Sequence, residues 1–151
     1  MWVVSTEDKR SIVYLLDMEL EGKKIRKIGI TSKKIEERLQ GIAMSIFSKH
    51  RYVPYIKPVK YQKVVNALAM EQKILKHMEE YKWTSEKQWG GCTETLDVEL
   101  DVLVDVYEKV QKGEELVEVG EACGSCGKVK KFEIDGEMLC GHKHKENTAS
   151  V

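Results

Sequence analysis

The sequence predicts an α+β fold: a small three-stranded sheet flanked by helices, followed by a separate β-hairpin module rich in metal-ligand residues. Three observations carry this expectation. Short apolar or alternating runs open the chain, helical periodicity returns in three later segments, and from Cys123 onward cysteine, glycine and histidine replace the usual core formers.

The elements follow in order. "SIVYLL" (11–16) is an apolar run fit for a buried strand, and "KIRKIGIT" (24–31) alternates like a second strand, with the glycine of "LEGKK" turning the chain between them. Thr31 or Ser32 is placed to cap a helix through "KKIEERLQGIAMSIFSKH", in which Ile35, Leu39, Ile42 and Ile46 share a face. "RYVPYIKPVKYQKV" is extended, because its two prolines exclude helix and confine any strand to a sheet edge or to the residues after Pro58. Asn66 is the cap expected for a second helix running to about Tyr81. After the loop "KWTSEKQWGGCTE", a third helix is expected from Thr95, with Leu96, Leu100, Leu103, Tyr107 and Val110 on one face and Gly113 at its end. These boundaries predict one domain over residues 1–113, a second module over 114–146 and a frayed tail over 147–151.

Zero formal net charge conceals a polar distribution. Residues 23–63 hold twelve lysines and arginines against two glutamates, whereas residues 92–121 hold ten acidic residues against two lysines. A basic region interleaved with Tyr52, Tyr55 and Tyr61 suits a phosphate backbone, and the acidic region does not. Charge pairing across the fold is the plainer explanation of the same pattern. The start "MWVVSTEDKR" lacks the apolar core of a signal peptide and no run approaches a membrane span, so a cytoplasmic protein is expected, in a bacterial or infected host cell. In that setting the four cysteines read as thiols or metal ligands.

Glu71 breaks the pattern of its helix. It falls within the apolar stripe formed by Val64, Ala67, Leu68, Ile74, Leu75 and Met78, where an unpaired carboxylate costs several kcal/mol or takes up a proton. A carboxylate kept in such a place calls for a cation.

The C-terminal module has a C-x₂-C pair at Cys123 and Cys126, a hairpin in which "KKFEI" and "EMLC" flank an Asp135-Gly136 turn, and then Cys140, His142 and His144. Two tight ligand pairs separated by a hairpin suit tetrahedral zinc, with His142 or His144 as the fourth donor. Four protein ligands leave no open position, so the zinc is expected to be structural. Without metal, this segment lacks an adequate core.

"IVY" ending at Tyr14, "KIG" ending at Gly29, Arg38 on the next helix and Glu71 on the one after it together resemble the GIY-YIG nuclease superfamily over about residues 11–100. The "KIG" reading resembles its phage and bacterial branch. The first glycine of the signature is Ile12 here, and the second tyrosine is Lys27. The resemblance implies a divalent-metal-dependent DNA endonuclease of phage or mobile-element type, with Glu71 holding Mg²⁺, Arg38 clamping the phosphate, and Tyr14 positioning or deprotonating the attacking water. Lys27 would donate to the phosphate in place of the phenol, unless Tyr52, Tyr55 or Tyr61 supplies one. Gly29, His50 and Tyr52 are the expected substrate contacts, and Thr93 and Glu94 are further polar candidates after the glutamate helix.

Hydrolysing a phosphodiester asks for these types on chemical grounds too: a base near a water, positive charge on the phosphate, and a stabilised leaving oxygen. The structural alternatives are a core tyrosine at Tyr14 and a buried ion pair between Arg38 and Glu71. The competing functional expectation is a catalytically inactive DNA-binding or regulatory protein with the same basic face and zinc module. A protein partner or homodimer engaging the zinc module or the acidic helix is also open.

Overall fold

The computed structural model describes residues 11–87, 89, 94–118, 120–134 and 136–143. They divide into two compact units between Asp97 and Val98. The first unit contains β1 (Ser11–Leu20), β2 (Lys23–Thr31), α1 (Ile35–His50), β3 (Tyr55–Val64), α2 (Ala67–His77), a 3₁₀ turn (Glu79–Tyr81) and β4 (Thr95–Leu96). The second contains α3 (Leu100–Lys112), β5 (Phe132–Ile134) and β6 (Glu137–Leu139).

The fold is α+β, with a four-stranded antiparallel sheet ordered β3-β1-β2-β4. β1 is central, and Val13 to Leu16 are all fully buried, which is why its sequence is apolar on both faces. β1 and β2 meet in a two-residue turn, Glu21-Gly22, with both φ values positive (55° and 76°), the geometry that matches strand twist. On one face of the sheet Tyr14, Leu16, Met18 and Leu20 pack with Ile25 and with Ile35, Ile42 and Ile46 of α1. Each such isoleucine contributes roughly 1.5–3 kcal/mol by leaving water. α2 packs against β1 and β2.

The structure corrects several expected boundaries. The sheet has a fourth strand, because Thr95 and Leu96 pair with Lys27 and Arg26 instead of starting a helix; α3 begins at Leu100. α1 begins at Ile35, and the Thr31 hydroxyl accepts from the Lys33 N–H (3.1 Å) in a local turn rather than capping the helix. Asn66 stands at the cap position of α2 without a side-chain hydrogen bond. The buried stripe of α2 is Ala67, Met70, Glu71, Ile74 and His77, while Leu68 is exposed. β3 includes Pro58 and lies at the sheet edge, where a missing N–H is tolerated.

In the second unit α3 buries Val102, Leu103, Val106 and Tyr107 and contacts β5. The Glu99 N–H donates to the Gly141 carbonyl (2.9 Å), and Lys143 pairs with Asp101. The hairpin register Phe132↔Leu139 leaves a two-residue turn; Gly136 has φ +81°, and Asp135 lies outside the described residues. Among the described residues, no helix is long and apolar enough to cross a membrane.

Candidate functional site

Tyr14 and Gly29 are directly opposed across β1 and β2. A Cβ on Gly29 would fall 2.5 Å from the Tyr14 ring carbon Cζ, so only glycine leaves room for the phenol over the sheet. Tyr14 is fully buried, and its hydroxyl accepts a hydrogen bond from Nε of Arg38 (3.0 Å), projected from the first turn of α1. Burial pushes the phenol above its ordinary value; the Arg38 hydrogen bond and charge pull it down, and Glu94 and Glu71 add to the rise. Burial outweighs the lowering by Arg38.

Lys27 is fully buried as well and donates to Oε1 of Glu94 (3.0 Å), with its ammonium 5.9 Å from the Trp89 ring. Burial lowers its pKa, opposed by the charge and hydrogen bond of Glu94, with Arg38 adding to the fall. A lysine so enclosed behaves as part of the cluster's wall. Its partner Glu94 is brought into place by the short pairing of β4 with β2.

Glu71 is 2% exposed. Burial, then the Glu94 charge and the contact between the two carboxyls, push it up to about 7, against the weaker pull of Gln72 and Lys27. Gln72 donates to Oε1 (3.3 Å), but buried Oε2 has no hydrogen-bond partner. Between two apposed carboxylates, attraction requires a shared proton or a cation. Tyr14, Lys27, Arg38, Glu71 and Glu94 thus form one electrostatically connected cluster. A cleft of about 470 Å³ reaches it beside Arg38, lined also by Ser11, Thr31, Lys33 and Glu37. A second, of about 560 Å³, is bounded by Gln72, Lys76, Lys82 and Glu94.

The structure places His50 and Tyr52 elsewhere, roughly 20 Å along β1 from Tyr14 at ~3.3 Å per residue. His50 Nε2 lies 2.7 Å from Oε2 of Glu21, and the Tyr52 hydroxyl accepts from the Glu21 N–H (2.9 Å). Glu21 also accepts from Ser85 Oγ and the N–H groups of Glu86 and Lys87. Burial works against this carboxylate, yet His50, Ser85 and the backbone donors hold it at about 2. This clasp fastens the hairpin tip to the loop after α2. Sequence reasoning missed it, since the glycine of "LEGKK" signals only a turn and not the partners of Glu21. Thr93 lies outside the described residues.

In the second unit the sulfurs of Cys123, Cys126 and Cys140 lie within 4.8 Å of one another. Tetrahedral zinc with Zn–S near 2.3 Å needs sulfurs ~3.8 Å apart, so these thiols suit it. Around the first pair, the Gly127 N–H donates to the Cys123 carbonyl (2.7 Å), Gly127 takes φ +78°, and the Ser125 N–H points at Cys123 Sγ (3.4 Å). That turn brings the two sulfurs together, with Cys123 buried and Cys126 exposed. Among the described residues the converging donors are these three thiols. His142 is not one of them, and His144 lies outside the described residues.

Residues 11–111 match the family described as the T5orf172 domain. No curated protein and no solved structure matches the chain.

Proposed function

Since the chain belongs to the T5orf172 domain family, a GIY-YIG-related phage domain, we propose that it is a divalent-metal-dependent DNA endonuclease that hydrolyses phosphodiester bonds at the Tyr14–Arg38–Glu71 cluster. The observation that carries this reading is the buried Glu71 carboxylate, with Oε2 unpartnered and Glu94 against it. An apolar core does not retain a carboxylate with an unpartnered oxygen without a use for it, and the half-buried Glu94 beside it is already paired with Lys27.

Glu71, with Glu94 beside it, would hold Mg²⁺, which when bound supplies positive charge to the leaving oxygen and keeps most of its waters. Arg38 binds a non-bridging phosphate oxygen through its terminal nitrogens, because Nε is already committed to Tyr14. Tyr14 holds that guanidinium in register and, accepting from Arg38, keeps its own O–H to orient the attacking water. Lys27 fixes Glu94 instead of touching substrate. Zinc at Cys123, Cys126 and Cys140, completed by His144, is structural in this reading.

Nicking of supercoiled plasmid and cleavage of an oligonucleotide panel test it. Wild type is expected to cut with Mg²⁺ and not with chelator, and Glu71→Ala is expected to bind DNA and cut at least ~100-fold more slowly. Undiminished cutting by Glu71→Ala contradicts the assignment. The second reading, an inactive DNA-binding protein, is favoured by one observation, the complete burial of Tyr14. Metal-independent binding of the whole panel without any cutting supports that reading.

A further inference from the structure

β3 carries a one-residue register shift. From Tyr55 to Pro58 it pairs with β1 in one register, with Ile56 opposite Met18 and Pro58 opposite Leu16; beyond Val59 the register moves by one, with Lys60 opposite Leu15 and Tyr61 opposite Tyr14. Strand side chains alternate between faces, so this bulge decides which residue stands beside Tyr14. An unshifted ladder would set Lys60 there and turn Tyr61 to the other face. With the shift, Tyr61 and, two residues on, Lys63 lie on the face that carries Tyr14 and α1, with Lys63 opposite Ile12. Both are exposed, Tyr61 at 49%.

Tyr14 and Lys27 are fully buried, so neither offers an aromatic or cationic surface to a large substrate. Tyr61 offers that surface at the sheet edge, directly across the strand from the cluster, and Lys63 supplies a cation next to it. The Tyr14 hydroxyl that Arg38 binds leans over Gly29 of β2, and β3 lies two strand spacings (~10 Å) from β2, which puts Tyr61 one to two nucleotides from a phosphate held by Arg38. We infer that Tyr61 is a substrate-binding residue of this site, a platform on which a base one or two nucleotides from the scissile phosphate stacks while Lys63 takes a neighbouring phosphate. A ring stacks on a base only when that base has left its own duplex stack. The substrate is therefore DNA with unpaired nucleotides at the point of cleavage: a single strand, a flap or a bubble. This inference rests on the endonuclease reading and narrows its substrate class.

Binding of a labelled single-stranded oligonucleotide and of the same sequence as a duplex, by fluorescence anisotropy without Mg²⁺, tests it in wild type, Tyr61→Phe and Tyr61→Ala. Wild type and Tyr61→Phe are expected to bind the single strand equally, and Tyr61→Ala roughly 5- to 150-fold more weakly, the range for one lost stacked base. Duplex binding should agree within about twofold across all three, since no base is free to stack. Unchanged single-strand affinity in Tyr61→Ala overturns the inference alone. So does a Tyr61→Phe loss as large as the alanine loss, which would assign the effect to the hydroxyl. Wild type that binds neither DNA overturns the nucleic-acid reading underneath it.

Discussion

Gly29 and Arg38 earn their places through Tyr14. The ring lies where a side chain on residue 29 would be, and its hydroxyl takes the Arg38 Nε–H. Gly29→Ala is expected to destabilise the fold by about 1–3 kcal/mol, read from urea unfolding, because the enclosed ring has little freedom to move away. Arg38→Lys keeps the charge and loses the fork, so DNA cleavage should fall by about 100-fold with little change in melting temperature. Glu71 gives a pH signature. Its folded pKa, about 7, lies above the ordinary 4.5, so between those values the folded state holds a proton that the unfolded state has released. Stability in magnesium-free buffer should therefore fall as pH rises from about 4.5 to 7, and Glu71→Gln should abolish that slope while also abolishing cleavage. At this scale the sequence was informative about residue types. Glu71 stood out because a carboxylate interrupts an apolar stripe. Glu94 was harder to place, since its position depends on a two-residue strand that no periodicity announces. Lys27 looked like a phosphate donor because sequence does not show that its ammonium is sealed against Glu94 and Trp89.

Secondary-structure elements were legible where one period ran long enough to identify them, as in β1, β2, α1 and α2. The differences arose where tertiary partners overruled local signals: Thr95 and Leu96 fit a helical face but pair with β2, and Leu68 fits the α2 stripe but faces solvent. The β3 bulge has no sequence signature beyond the nearby Pro58, yet it chooses the residue beside Tyr14. His50 and Tyr52 attracted a substrate role by following the arginine helix; the chain instead brings them back to Glu21. Glu21 has the opposite linkage to Glu71. Its folded pKa, about 2, is below the ordinary 4.5, so its contribution is present above pH 4.5 and is lost as pH falls toward 2. Glu21→Gln should remove that acid-side loss, measured as the difference in urea midpoint between pH 5 and pH 2.5.

For the whole chain, the charge polarity of the sequence is partly absorbed by pairing within the first unit, where Lys23 meets Asp97 (3.0 Å) and Lys27 meets Glu94. In the second unit the apolar core lies on α3, and among the described residues the hairpin adds to it only Phe132 and Leu139. Its two three-residue strands bury little apolar surface, and three thiols gather where a metal would tie Cys123, Cys126 and Cys140 together. Full-length protein is expected to carry one zinc, and Cys126→Ser to lose it, with amide-exchange protection falling in residues 120–143 and persisting in β1 to β3. The two linkages considered above place the best metal-free stability near pH 4.5 for those groups, whereas cation binding at Glu71 requires its proton to leave and should strengthen through pH 7. That contrast makes the cation the central issue. Electron paramagnetic resonance titration of Mn²⁺ into the DNA complex at pH 8, for wild type and Glu71→Ala side by side, addresses it directly: wild type should bind one more Mn²⁺ per chain than the variant, and equal stoichiometry in the two would contradict Glu71 as the ligand of a catalytic cation.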